Sequence, residues 1–193
     1  MILYLPIKRG RIKALMSIIC ILFLPTSLLA NQFKVTEIYD GDTIKVKGYG
    51  AEIKLRLAGI DAPETSRNKI GFGQRYSQEA REYLSGLVLN KSIEIKGHGY
   101  LNIDLMLGTV FLDGKNINLE MVWAGLAEVY RGEPPKDLNL DPFFKAERQS
   151  RAEKKGVWIQ GDGYVSPRTW RKRQRAKSAC AMMLFGICKQ EKK

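Results

Sequence analysis

The stretch Ala51-Glu52-Ile53-Lys54-Leu55-Arg56-Leu57-Ala58-Gly59-Ile60-Asp61-Ala62-Pro63-Glu64 decides the reading of this chain. Its first half alternates: Ile53, Leu55 and Leu57 fall on one face, Lys54 and Arg56 on the other, as in a half-buried strand. Its second half sets two carboxylates three residues apart at the strand's end, held by a proline whose ring fixes the backbone. An arginine within an apolar strand and two acids beyond it form a constellation that ordinary turn chemistry does not require.

Further strands flank this one. Residues 33–39 and 43–47 alternate apolar and polar, with Asp40-Gly41-Asp42 as the turn between them. Phe72, Tyr76, Ala80, Tyr83, Leu84 and Leu87 follow at helical steps. Residues 92–96 and 107–112 read as a fourth and a fifth strand, the latter followed by the turn Asp113-Gly114. Asn118 is placed to cap a short helix with Met121, Val122 and Leu126 inward. Asp141-Pro142 opens a third helix, and Gly156 closes it. The order fits an α+β chain, mainly a small closed or partly open β barrel with helices packed on it.

Composition narrows the chemistry. The 193 residues are 45% hydrophobic, enough for one globular domain, and contain one histidine and three cysteines. His98 alone excludes multi-histidine metal sites and histidine-based relays, and three cysteines exclude a Cys₄ cluster. Any hydrolysis therefore falls to carboxylates, cations and a hard metal. Asp42, Asp61 and Glu64 offer the oxygen donors that suit Ca²⁺ or Mg²⁺ over zinc or copper.

The net charge of +12 is unevenly placed. Lys8, Arg9, Arg11 and Lys13 lie in an acid-free start, residues 168–193 carry nine cations against Glu191, and the span between is balanced. Residues 1–30 read as an export signal: a basic opening, then an apolar run over 14–24, then Pro25 and a small residue at Ala30. The run is too short to span a bilayer, so the expectation is an exported, periplasmic or secreted monomer that meets membrane only through this segment. Cys180 and Cys188 then remain as an even pair, which favours a disulfide in an exported chain. The division expected is signal 1–30, domain 31–160 and basic tail 161–193. In the tail, six cations surround Trp170 within residues 168–177, a composition suited to phosphates and bases or to an anionic surface.

Asp40-Gly41-Asp42-Thr43, Leu55-Arg56-Leu57, Ile60-Asp61-Ala62-Pro63-Glu64-Thr65, residues 108–115, Asn118-Leu119-Glu120, Gly125-Leu126-Ala127 and Lys154-Lys155-Gly156-Val157-Trp158 together resemble the signature of the staphylococcal nuclease homologues, over about residues 33–159. The resemblance implies a five-stranded barrel of the oligonucleotide-binding type with three helices packed on it, and Ca²⁺-dependent hydrolysis of phosphodiester bonds in DNA and RNA, leaving a 3′-phosphate. It implies that Asp42, Asp61 and the main-chain carbonyl at Ala62 hold the ion. Glu64 would activate water, Arg56 would hold the phosphate, and Asp40 would support the turn or the ligands. In one place the chain departs from the pattern: where the family carries a second arginine, this sequence has Leu105, and no arginine occurs between Arg81 and Arg131. Arg131 is the candidate to replace it at the substrate, with Tyr130 beside it as a substrate-binding aromatic that stacks on a base. The alternative is a nucleic-acid-binding barrel with weakened or lost catalysis.

Overall fold

The computed structural model describes residues 32–66 and 73–190, with the backbone alone over 180–190. The expected export signal, Cys20 and Phe72 lie outside the described residues, as do the side chains of Cys180 and Cys188 and the bridge expected between them.

Among the described residues, eight strands and four α-helices follow one another: β1 Gln32–Ile38, β2 Thr43–Gly48, β3 Ala51–Leu57, β4 Ile60–Asp61, α1 Ser77–Val88, β5 Ser92–Asn102, β6 Leu105–Leu112, β7 Lys115–Asn116, α2 Ile117–Trp123, β8 Glu128–Val129, α3 Asp141–Ala152 and α4 Pro167–Gln190. A 3₁₀ stretch, Gly156–Gly163, lies between α3 and α4. The main sheet runs β3-β2-β1-β5-β6-β7, and β3 also pairs with β6 in parallel, closing five strands into a barrel. The expected α+β barrel is thus present. The small β4–β8 ladder stands beside it, with Asp61 opposite Glu128.

Closure needs a close approach of backbones, and Gly108 permits it. A Cβ there would stand 3.0 Å from both Ile95 and Leu55 side chains. Within the barrel, Ile44, Val46, Leu55, Leu57, Ile93 and Val110 are fully buried, and Leu84 and Met121 pack on them from α1 and α2. Leu55 and Leu57 point inward while Lys54 and Arg56 do not, as the alternation predicts.

Several expectations are corrected. Asn116, not Asn118, caps α2 by accepting the Leu119 N–H at 3.0 Å. Asn118 is buried inside the fold, accepting the Val110 N–H at 2.9 Å and donating to the carbonyls of Ala58 (2.9 Å) and Gly108 (3.1 Å). A buried side chain that satisfies three backbone groups outranks a cap at the surface. The fourth and fifth strands extend further than expected, to Asn102 and from Leu105, because each supplies the other's hydrogen bonds through an irregular register. Helix α3 ends at Ala152, four residues before Gly156. From Pro167 the basic tail is a helix, α4, over the length described.

Tyr83 links α1 to α2 by donating to Glu120 Oε1 at 2.9 Å, and Lys115 pairs with the other oxygen at 2.8 Å. Burial, then the bond to Glu120, pushes the Tyr83 phenol up to about 12. A raised acid favours its protonated form in the folded state, so this contribution is whole below pH 10 and lost as pH climbs towards 12. Denaturant unfolding should find Tyr83→Phe less stable than wild type by about 1 kcal/mol at pH 8, with the margin shrinking between pH 10 and 11.5.

Candidate active site

The site forms where β3 leaves the barrel. Arg56 occupies the last polar position of β3, and its strand neighbours Leu55 and Leu57 anchor it in the core. Gly59 then turns the chain with a positive φ of 81°, the region that favours glycine, and β4 delivers Asp61 back towards Arg56. Asp42 arrives from the turn between β1 and β2. Its carbonyl accepts the Leu57 N–H at 2.8 Å, tying the turn to the end of β3.

One guanidinium nitrogen joins the two acids. Arg56 Nη2 lies 2.9 Å from Asp42 Oδ2 and 2.8 Å from Asp61 Oδ1. Asp42 also accepts the Ala62 N–H at 2.9 Å and the Thr43 hydroxyl at 2.8 Å, and Asp40 accepts the Asp42 N–H at 3.0 Å. Asp42 and Asp61 are only 2% and 1% exposed. Burial raises the Asp61 carboxyl above its ordinary range, with Asp42 adding to the rise while Arg171 and Arg56 oppose it. Asp40 is raised by burial and then by repulsion from Asp42. Burial and mutual repulsion thus disfavour negative charge on Asp40 and Asp61, a cost that a cation bound among them would offset.

Among the described residues, no three His, Cys, Asp or Glu side chains converge as a self-sufficient metal cluster. The acidic pair Asp42 and Asp61, meeting on one nitrogen atom, nevertheless has the chemistry a hard divalent cation takes: carboxylate oxygens, with main-chain, water and substrate oxygens to complete the shell. The donor set fits Ca²⁺.

Tyr130 and Arg131 go separate ways. Tyr130 lines a cleft of about 380 Å³ with Arg56, Glu64, Leu105 and Leu107. Arg131 is directed elsewhere: it pairs with Glu147 and stands over the Phe144 ring at 5.3 Å. Successive residues of an extended chain face opposite sides, and buried Glu147, which also accepts the Val129 N–H at 2.9 Å, takes the cation.

The residue that sequence reasoning missed at this site is Arg171, on α4. Its Nη1 lies 2.9 Å from Asp61 Oδ1 and 2.6 Å from Glu64 Oε1, and its Nη2 lies 2.7 Å from Asp61 Oδ2. Hydrogen bonding to Asp61 above all holds it firmly charged. In the sequence it is one of six cations in a basic run, and spacing gives no sign of which turns inward.

A barrel closed by β3–β6, with Arg56, Asp42, Asp61 and Glu64 gathered at its rim, defines a class of acid- and arginine-bearing oligonucleotide-binding folds. Residues 54–160 match the model of the staphylococcal nuclease homologue family, and the chain belongs to that family. It is 33% identical over 157 residues to a Haemophilus influenzae protein named as an uncharacterized endonuclease, covering 80% of this chain and 81% of that one. It is 33% identical over 143 residues to a similarly named Escherichia coli O157:H7 protein, covering 73% and 85%. Against the SPbeta prophage-derived endonuclease YokF of Bacillus subtilis it is 32% identical over 132 residues, covering 67% and 44%.

Proposed function

We propose that this chain is an exported nuclease that hydrolyses phosphodiester bonds of DNA or RNA with Ca²⁺, leaving 3′-phosphate ends. The observation that carries the reading is Arg56 lying between Asp42 and Asp61, with Glu64 in the same cleft, in a family whose similar members are named endonucleases. Asp42, Asp61 and the Ala62 carbonyl would hold the ion. A cation bound there supplies Lewis acidity at the phosphoryl oxygen and offsets charge in the transition state. Glu64 accepts the proton of a water poised over phosphorus. Arg56 turns its planar fork to the equatorial oxygens and stabilises the charge that builds on them. The oxygen of water bonds to phosphorus, the bond from phosphorus to the 5′-oxygen breaks, and that oxygen takes a proton from solvent to leave as a 5′-hydroxyl, while Glu64 returns its proton to solvent.

The residues 1–30 support export as the place of action. Leu105, lining the cleft where a cation is expected, favours the second reading, a barrel that binds nucleic acid and cuts poorly. Cleavage of single-stranded DNA decides between them. With Ca²⁺ the wild type should cut, chelator should stop it, and Glu64→Gln should reduce the rate by about 10²–10⁴. Salt-sensitive binding with no cutting in any condition overturns the nuclease in favour of the binder.

A further inference from the structure

We propose, resting on the nuclease reading above, that Arg171 of the C-terminal helix is a catalytic residue: it is the second guanidinium at the scissile phosphate, and its helix forms the second wall of the substrate groove. The helix lies outside the segment that matches the family, which ends at residue 160, yet its arginine touches Asp61 and Glu64.

Its placement is built from several contacts. Gln74 accepts the Glu64 N–H at 3.3 Å and donates to the Val165 carbonyl at 2.5 Å, so one side chain fastens both the Glu64 loop and the chain leading into α4. On the other flank, the Tyr164 hydroxyl donates to Glu128 Oε2 at 2.8 Å, and Glu128 stands opposite Asp61 in the β4–β8 ladder. The Ser166 hydroxyl accepts the Thr169 N–H at 3.2 Å and caps the first turn. Arg171 follows two residues later and lies only 24% exposed.

The charges point the same way. Asp42, Asp61 and Glu64 face two guanidinium groups, Arg56 and Arg171, which share the oxygen Asp61 Oδ1. Two arginines on one carboxylate repel each other, and the group of five carries one net negative charge. A divalent cation and one phosphodiester would bring it to neutrality; without Arg171 the same filled site would be left short of one positive charge. Once the carboxylates are engaged by the ion, the Arg171 fork is free to turn to phosphate oxygens in the cleft it already lines with Arg56 and Leu105. The adjoining groove, about 740 Å³, continues from Tyr130 and Arg171 along Arg168, Lys172 and Arg175. These cations present a track for neighbouring phosphates and Tyr130 a face for a base.

The test compares wild type, Arg171→Ala and Arg171→Lys by cleavage of single-stranded DNA with Ca²⁺, with circular dichroism melts to establish folding. Arg171→Ala should lower kcat more than a hundredfold, lysine should restore little of it, and Leu105→Arg in the Arg171→Ala background should recover activity. A second readout does not depend on turnover. In the Glu64→Gln background, Arg171→Ala should weaken Ca²⁺-dependent binding of oligo(dT) about tenfold, while calorimetry finds Ca²⁺ bound more tightly, since Asp61 has lost a competitor. Replacing Lys172 and Arg175 together with alanine should reduce the salt slope of oligo(dT) binding by about 1.4. Folded Arg171→Ala that cuts within tenfold of wild type, or faster, would overturn the assignment and leave Arg171 a mere counter-ion; so would undiminished binding of oligo(dT). A wild type that cuts nothing sinks the nuclease reading separately, and the binding arm still decides whether Arg171 meets phosphate.

Discussion

Arg56→Ala should slow phosphodiester cleavage by about 10³–10⁵, the cost of losing an arginine that stabilises a phosphoryl transition state, equivalent to roughly 4–7 kcal/mol of barrier. Two losses combine. The fork that meets the developing charge disappears, and Asp42 and Asp61, nearly unexposed, lose the nitrogen they share. The protein should still fold, because Asp42 keeps the Ala62 N–H and the Thr43 hydroxyl, and Asp61 keeps Arg171. Arg56→Lys should recover little, since a single ammonium cannot reproduce a planar pair of donors. Single-turnover cleavage of single-stranded DNA at saturating Ca²⁺, with melts on the same preparations, makes the measurement. A folded Arg56→Ala within tenfold of wild type would reduce Arg56 to a holder of the acidic pair.

The second large effect is on stability. Asn118→Ala should destabilise the barrel by about 3–5 kcal/mol, because the buried Val110 N–H and Ala58 carbonyl lose this partner and the Gly108 carbonyl keeps the Ala58 N–H but loses one of its donors. For a domain of this size that corresponds to a fall of about 10 °C in Tm. Asn118→Leu fills the space yet deprives the same groups of the Asn118 side chain, so it should fare little better. Differential scanning calorimetry reads the effect directly. Cleavage by the folded fraction, assayed well below the transition, should fall far less than in Arg56→Ala, which separates a residue that closes the barrel from one that meets the substrate. Melting temperatures of Asn118→Ala within 2–3 °C of wild type would refute the buried network as the closing device.

Much of this was legible in residue order. The alternation through Ile53, Leu55 and Leu57 predicts a strand with Arg56 outward, and the strand is there with Leu55 and Leu57 buried. Asp42 and Asp61 stand out because acids beside turns, next to an arginine in an apolar strand, are a poor bargain for stability alone. Asn118 was misread because helix caps are local and visible, whereas its true partners, Ala58 and Gly108, lie 60 and 10 residues away. Arg131 was favoured because it is near Tyr130 in the chain. Buried Glu147 pairs with it instead, and no one-dimensional pattern carries that information.

The amino-acid order by itself determined the barrel, its helices, the acids at its rim and the arginine among them, because these follow from periodicity, turn residues and local spacing. Only the tertiary structure decided which of the tail's cations reaches the cleft. Selecting Arg171 over its neighbours required a helix pinned by Gln74 and Tyr164 to the loops bearing Glu64 and Asp61. Contacts across about a hundred residues are set by packing, and packing is a property of the folded whole.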